Sequence, residues 1–305
     1  GPVRLWGLTV GDGDKDAKTD VYITGGITGG LYQYSYDQSR GDWEILNITD
    51  DTLTASALAF GDGDDDGTNE IYFQGMTKTS PRLSPLYQVY YTGDKWSFDT
   101  ISSSNPGFSD KIVIGDGNND NKTEVFSANQ DGNIYMYYKL GEWNCQNIGN
   151  TSLPQNQTDK RMLGLTVGDG DNDGQKEVYG SDKAGQIYQF KYNGSIWMST
   201  IIGLGGTDFR NGGISNIVIG DLDGDGKNEI YGISWTNVTV YRFKYDTKAY
   251  RWETTKLISL NSGDNGLSLV IGDGKSEGTN KLYVGSYKGM VYEIYYDNIS
   301  GKWMS

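Results

Sequence analysis

The reading of the whole chain rests on one stretch, Leu165-Thr166-Val167-Gly168-Asp169-Gly170-Asp171-Asn172-Asp173-Gly174-Gln175-Lys176-Glu177-Val178-Tyr179. It opens with three strand formers, runs through nine residues with acids at positions 1, 3, 5 and 9, and closes on a second short apolar segment. A Gly-containing turn follows, then the alternating segment Ile187-Tyr188-Gln189-Phe190-Lys191-Tyr192, then a polar turn leading to Trp197. The period of two in these segments predicts strands, and the turn residues between them predict tight antiparallel connections.

The same pattern returns along the chain. The first acid of each copy is Asp12, Asp62, Asp116, Asp169, Asp221 or Asp273, so the units are 50 to 54 residues long. Six units, approximately 3–50, 51–104, 105–158, 159–210, 211–262 and 263–305, account for the 305 residues as one repeat domain. Each unit ends near a Trp: Trp43, Trp96, Trp143, Trp197, Trp252 and Trp303. Four strands per unit and no helical period predict an all-β, six-bladed β-propeller of four-stranded antiparallel blades, an architecture that protects sheet edges by packing blade on blade. The expected arrangement is a closed ring, with a short outer strand in the last unit. The third-strand tyrosines Tyr32, Tyr87, Tyr135, Tyr188, Tyr241 and Tyr292 are expected to serve strand formation and core, and the six Trp residues to fill the gaps between neighbouring blades.

Composition supports this reading. Aromatics reach 13% and Gly 44 residues, against only 5 Pro, which suits many short strands joined by turns. The longest apolar runs are too short to span a membrane. With Asp+Glu 40 against Lys+Arg 26, the formal charge is −14, which disfavours nucleic acid and anionic membranes as partners. The chain has no His and one Cys, Cys145. Histidine-based catalysis, an internal disulfide and a thiolate zinc site are therefore excluded. No signal peptide is visible, and the opening Gly1-Pro2 reads as a processing scar.

The loops between strands one and two are expected to bind calcium. Their acids are Asp12, Asp14, Asp16 and Asp20 in the first; Asp62, Asp64, Asp66 and Glu70 in the second; Asp116, Asp120 and Glu124, with Asn118, in the third. The fourth carries Asp169, Asp171, Asp173 and Glu177, and the fifth Asp221, Asp223, Asp225 and Glu229. No Lys or Arg occupies these positions, so each cluster would repel itself unless a hard, oxygen-seeking divalent cation sat within it. Position 6 is Gly or Asn in loops two to five, as a left-handed turn requires; Ala17 departs from that pattern in the first. Five bound Ca²⁺ would bring the formal charge from −14 to −4. The motif is not an EF-hand, whose bidentate Glu stands at position 12 between helices. The sixth loop, with Asp273, Lys275, Glu277 and Lys281, is expected to be metal-free and to neutralise itself by internal ion pairs.

The pattern strand, D-x-D-x-D-G-x-x-[DE], strand resembles the FG-GAP/VCBS repeats of integrin α-subunit propellers and of related secreted lectins and adhesins. The resemblance covers all six units, with the calcium motif present in five. Six units rather than seven, and no Phe-Gly…Gly-Ala-Pro sequence, separate the chain from integrins. The resemblance implies fold and metal; function follows less directly, because one propeller scaffold carries many functions.

Since the repeated positions are explained by packing and metal, ligand recognition is expected at the irregular connections on the opposite face, with Arg82, Phe209, Arg210 and Trp235 as candidate ligand-binding residues. The expected function is a calcium-stabilised extracellular binding module, adhesin- or lectin-like, recognising a glycan or a cell-surface protein. It is expected to act without direct membrane insertion, as a monomeric domain of a larger protein. Two alternatives stand beside it: a polysaccharide lyase or glycosidase on the propeller scaffold, and a structural module of a larger surface protein. An enzyme would need converging carboxylates, and only Asp110 and Asp208 lie outside the loops as weak candidates, so no catalytic residues are assigned. Seven N-x-S/T sequons, at Asn47, Asn121, Asn150, Asn156, Asn193, Asn237 and Asn298, suggest a glycoprotein. The tripeptide Arg40-Gly41-Asp42 falls in an ordinary hairpin turn.

Overall fold

A computed structural model describes residues 4–26, 29–49, 53–77, 84–102, 109–153, 159–206, 213–236, 238–260 and 263–305. Every regular element among them is a strand, and the fold is a six-bladed β-propeller. Blade one comprises β1 (Arg4–Gly11), β2 (Asp20–Gly26), β3 (Leu31–Asp37) and β4 (Asp42–Asn47). Blade two comprises β5 (Leu53–Gly61), β6 (Glu70–Thr77), β7 (Leu86–Tyr91) and β8 (Trp96–Ser102). Blade three comprises β9 (Ser109–Gly115), β10 (Glu124–Asn129), β11 (Asn133–Leu140) and β12 (Glu142–Asn150). Blade four comprises β13 (Met162–Gly168), β14 (Glu177–Asp182), β15 (Gln186–Tyr192) and β16 (Trp197–Leu204). Blade five comprises β17 (Ile214–Gly220), β18 (Glu229–Ser234), β19 (Thr239–Asp246) and β20 (Arg251–Ser259). Blade six comprises β21 (Gly266–Gly272), β22 (Lys281–Ser286), β23 (Val291–Asp297) and the short β24 (Lys302–Met304).

Each blade is a simple meander with strands in chain order. Every first strand carries a register shift near its start, for example between Met162 and Gly164 in β13 and between Ile214 and Asn216 in β17. Such a bulge bends the strand and steepens its twist where it enters the blade. The chain forms two compact units, residues 1–115 with 121–131 and 135–147, and residues 116–120 with 132–134 and 148–305.

Within each unit the apolar core lies between blades rather than inside one sheet. In the first unit, Tyr22, Leu31 and Ile48 of blade one close on Ala55, Leu58, Ile71, Phe73 and Val89 of blade two. In the second, Tyr179 and Ile187 of blade four pack with Ile217, Ile230 and Phe243 of blade five. Full burial of such side chains stabilises by about 1.5–3 kcal/mol each. The fourth strands face outward; β4 is exposed along its length.

The Trp at the start of the fourth strand reaches back to the preceding blade. Trp96 meets Tyr22 edge-on at 5.9 Å, and Trp143 meets Tyr72 at 6.1 Å. In the second unit Trp252 meets Tyr179 at 6.0 Å, and Trp303 meets Tyr231 at 5.7 Å. Each contact is the edge-to-face geometry that aromatic quadrupoles favour. At these four positions the Trp is therefore a clamp between blades.

Candidate metal centres

The acidic loops share one backbone frame. The carboxylate at position 1 turns inward and accepts from later N–H groups of its own loop. Asp169 accepts from Asp173 N at 3.0 Å and Gly174 N at 2.9 Å; Asp12 and Asp62 do the same in their loops, and Asp221 accepts from Gly224 N and Gly226 N. Asp120 N likewise donates to Asp116 Oδ1 and Asn118 Oδ1 in the third loop. Positions 4 and 6 are left-handed in all six loops: Lys15, Asp65, Asn119, Asn172, Gly224 and Ser276 at the first, Ala17, Gly67, Asn121, Gly174, Gly226 and Gly278 at the second. Ala17 adopts φ 66° in spite of its side chain, so the first loop keeps the common shape. The left-handed position 4 was not legible, because its residue types are so mixed.

The acid at position 9 opens the second strand and is buried: Asp20, Glu70, Glu124, Glu177 and Glu229 are all at most 3% exposed. Two residues on stands a buried aromatic ring, Tyr in four of these loops and Phe126 in the third. Tyr72, Tyr179 and Tyr231 donate their hydroxyls to Glu70, Glu177 and Glu229 at 3.0, 2.7 and 2.7 Å. The same ring explains Gly at position 2, since a Cβ on Gly170 would lie 2.8 Å from the Tyr179 ring. Burial raises the Glu70 and Glu229 carboxyls and pushes Glu177 up to about 6.

Neighbouring loops are tied together. Asn119 and Lys176 exchange two hydrogen bonds of 2.8 Å, and Asn172 and Asn228 do the same at 3.0 and 2.8 Å. In each pair the Asn side chain at position 4 of one loop meets the backbone at position 8 of the next.

Oxygens from Asp12, Asp14 and Asp16 lie within 4.8 Å of one another, as do those of Asp62, Asp64 and Asp66. The same holds for Asp169, Asp171 and Glu177, and for Asp221, Asp223 and Asp225. Oxygens sharing a calcium at about 2.3–2.6 Å are no more than about 5 Å apart, so these clusters could hold a metal ion. In the second loop Asp64 Oδ1 is buried without a hydrogen-bond partner on a side chain only 2% exposed. An orphaned carboxylate oxygen beside two others is costly as it stands, and an all-oxygen donor set suits a hard cation.

Sequence reasoning missed the third strand. The residue paired with the strand-two Tyr is Gln33, Gln88, Gln189, Arg242 or Glu293. Gln33, Gln88 and Gln189 donate to Asp14, Asp64 and Asp171 at 2.7 to 2.8 Å, and Arg242 to Asp223 at 2.9 Å. Two residues further, Lys191 touches Asp173, Glu177 at 3.0 Å and Asp171 at 3.5 Å. Lys244 touches Asp225 and Glu229 at 2.6 Å and Asp223 at 3.2 Å. Lys139 of β11 reaches Asp64 of blade two at 2.7 Å. Several clusters thus have basic partners from outside the loop, contrary to the expectation of unrelieved repulsion. The available signal was the strand alternation, which puts Gln189 and Lys191 on one face.

In the sixth loop the expected internal ion pairs are present. Lys281 meets Glu277 at 2.6 Å, and Glu293 adds a partner that was not anticipated, 3.0 Å from Lys275 and 3.4 Å from Lys281.

Among the ligand-binding candidates, Arg82, Phe209 and Arg210 lie outside the described residues, as does Asp208. Trp235 is half-buried, its backbone paired with Gly213 and Gly266 and its ring 6.5 Å from the exposed Tyr287. Asp110 sits in β9 within reach of Gln130 Nε2 at 3.4 Å. Arg40 of the Arg-Gly-Asp turn is paired with Asp37 and Glu44.

The chain carries FG-GAP-like repeats, matched over residues 116–180 and 171–232. No curated protein sequence matches it. Among solved structures, the BP39L lectin from Burkholderia pseudomallei superposes with a TM-score of 0.67 at 14% identity, covering 100% of this chain and 86% of the lectin. Saccharomyces cerevisiae Sqt1 gives a TM-score of 0.57 at 12% identity, covering 94% of this chain and 70% of that protein. At these identities the likeness is one of fold.

Proposed function

We propose that the chain is a calcium-stabilised extracellular binding module, adhesin- or lectin-like, that recognises a glycan or a surface protein. The observation that carries the calcium reading is the recurrent all-oxygen cluster, above all the orphaned Asp64 Oδ1 beside Asp62 and Asp66. The proposed ligands are the acids at positions 1, 3, 5 and 9 of the first five loops, with Asn118 at position 3 of the third. When bound, the ion supplies positive charge to these clustered carboxylates. The chain's own part is to hold the ligands: position 1 ties down the loop backbone, and the strand-two Tyr orients the position 9 Glu.

The binding face in this reading is the opposite end of the blades. There the turns between strands two and three, and the connections between blades, vary in length and composition. The lectin neighbour supports the scaffold's suitability for sugar recognition and nothing finer. An extracellular location fits the weak calcium affinity of extracellular modules, roughly 10⁻⁴ to 10⁻³ M.

A glycan array of the purified domain, run in about 2 mM calcium (the concentration such sites require) and again in EDTA, tests the reading. Calcium-dependent binding to a related set of sugars is the expected result. Absence of binding in both conditions overturns the glycan branch and leaves a protein ligand, to be sought by cell-surface binding. Calcium is tested separately by thermal melting, where an identical transition in calcium and in EDTA would sink that part of the reading.

A further inference from the structure

The acidic loops differ in what the third strand brings to them. In blade one the residue paired with Tyr22 is Gln33, and two positions on stands Ser35, which carries no charge. Gln33 Nε2 donates to Asp14 at 2.7 Å and Asp20 at 2.6 Å, so this strand gives the first loop an amide, and the ammonium that the loop does meet, the exposed Lys18, pairs with Asp16 alone at 2.8 Å. In blade four the corresponding residues are Gln189 and Lys191, and the loop receives an amide and an ammonium. In blade five they are Arg242 and Lys244, a guanidinium and an ammonium.

The two ammonium groups sit where a metal would do its work. Lys191 Nζ contacts the position 3, 5 and 9 acids of the fourth loop, and Lys244 Nζ contacts the same three positions of the fifth. Both position 9 acids, Glu177 and Glu229, are completely buried, so no solvent ion reaches them as easily as the tethered lysine does. Ammonium and calcium demand the same oxygens, and two cations cannot share three carboxylates at contact distance without strong repulsion.

We propose that Lys191 and Lys244 are built-in counter-ions that compete with calcium, making the fourth and fifth loops markedly weaker cation sites than the first. The proposal rests on the calcium reading above and sharpens it: the first loop, beside an uncharged third strand, relies on a soluble cation, and the fourth and fifth carry a tethered one. The sixth blade is the end of this series. There the loop acids at positions 3 and 9 are themselves Lys275 and Lys281, and the third strand answers with Glu293. In the sixth blade, the charge of the third strand is thus reversed together with that of its loop.

Calcium titration by calorimetry of the intact chain, wild type against the double variant Lys191→Met/Lys244→Met, tests the proposal. The expected wild-type isotherm has at least two affinity classes. In the variant, two sites should tighten by roughly tenfold or more, the scale expected for removing a cation at contact distance. Melting curves supply a second readout. The variant should lose more stability than wild type in EDTA and recover it with calcium, so the gap between the two conditions widens. The converse variant, Ser35→Lys, should weaken or remove one of the tight sites while reducing the EDTA sensitivity of melting.

Wild-type and variant isotherms that bind calcium with identical stoichiometry and affinities overturn the proposal and leave the calcium reading standing. Absence of calcium binding in folded wild type and in both variants overturns the calcium reading itself, and the competition with it. If the double variant does not fold, Ser35→Lys decides alone: an unchanged set of calcium affinities in that variant refutes the competition.

Discussion

The fourth and sixth loops have the same backbone and opposite side-chain logic. In both, the position 1 Asp accepts from the N–H groups of positions 5 and 6, and positions 4 and 6 are left-handed. In both, the strand-two Tyr pairs with a third-strand residue, Gln189 against Tyr179 and Glu293 against Tyr283. Yet one loop sets three of its four acids against a lysine from the third strand, and the other places its lysines inside the loop with the acid on the third strand. The frame is set by local hydrogen bonds and by the sheet around it. The charge is an independent layer, arranged in each case so that carboxylates meet a cation.

The largest effect should come from removing the ring under the fourth loop. Tyr179→Ala empties a fully buried site, removes the hydroxyl donor to Glu177 and strips Trp252 of its ring partner on the preceding blade, and is expected to cost about 3–5 kcal/mol in denaturant unfolding. The partly buried Tyr283 beneath the sixth loop should cost clearly less when truncated in the same way. Equal losses would mean that the two loops do not differ in their supporting core.

Next in size is the conversion of one loop into the other. The triple variant Lys275→Asp/Lys281→Glu/Glu293→Gln gives the sixth loop the acid pattern of the first with its uncharged third strand. Equilibrium dialysis should show one additional bound calcium. At a calcium concentration one hundred times the dissociation constant, that site would stabilise the fold by about 2.7 kcal/mol. An unchanged calcium stoichiometry would show that charge pattern alone does not make a site on this frame.

A smaller effect tests the frame by itself. Ala17 holds φ 66° where four of the other loops have Gly. Left-handed geometry costs a non-glycine residue about 1–2 kcal/mol, partly offset by the greater freedom glycine has when unfolded. Ala17→Gly should therefore raise stability by about 0.5–1 kcal/mol, in calcium and in EDTA alike. A gain seen only with calcium would tie the strain to the metal and not to the backbone.

The smallest effect concerns pH. Burial, partly offset by Tyr179 and Lys191, holds the Glu177 carboxyl at about 6 against an ordinary 4.5. The folded state thus binds this proton more tightly than the unfolded chain. The resulting stability is fully present below pH 4.5 and is lost as pH rises through 6. In EDTA, melting should show this slope, and Glu177→Gln should flatten it.

Much of this molecule is legible in one dimension. A repeat of about fifty residues, with period-two apolar segments and Gly-rich turns, specifies the blades because side-chain alternation and turn chemistry are local properties. The acids at positions 1, 3, 5 and 9 were legible for the same reason. So was the self-neutralisation of the sixth loop, since Lys281 and Glu277 lie four residues apart. What escaped were partners brought in from other strands or blades: Gln33, Lys191, Lys244 and Glu293 on third strands, Lys139 from the next blade, and the Tyr that each clamping Trp meets. Their identities are visible in the chain, but their targets are set by strand register and blade packing.

The amino-acid order by itself therefore determined the number of blades, the strands within each and the nine-residue acidic loops, because hydrogen bonding and hydrophobic alternation act over a few neighbouring residues. Tertiary structure alone decided which carboxylates are buried, which have an ammonium pressed against them and which keep an unpartnered oxygen. Desolvation and Coulomb energies depend on distance through space, and a lysine fourteen to twenty-one residues away in the chain becomes a first neighbour only when the third strand folds back across the loop.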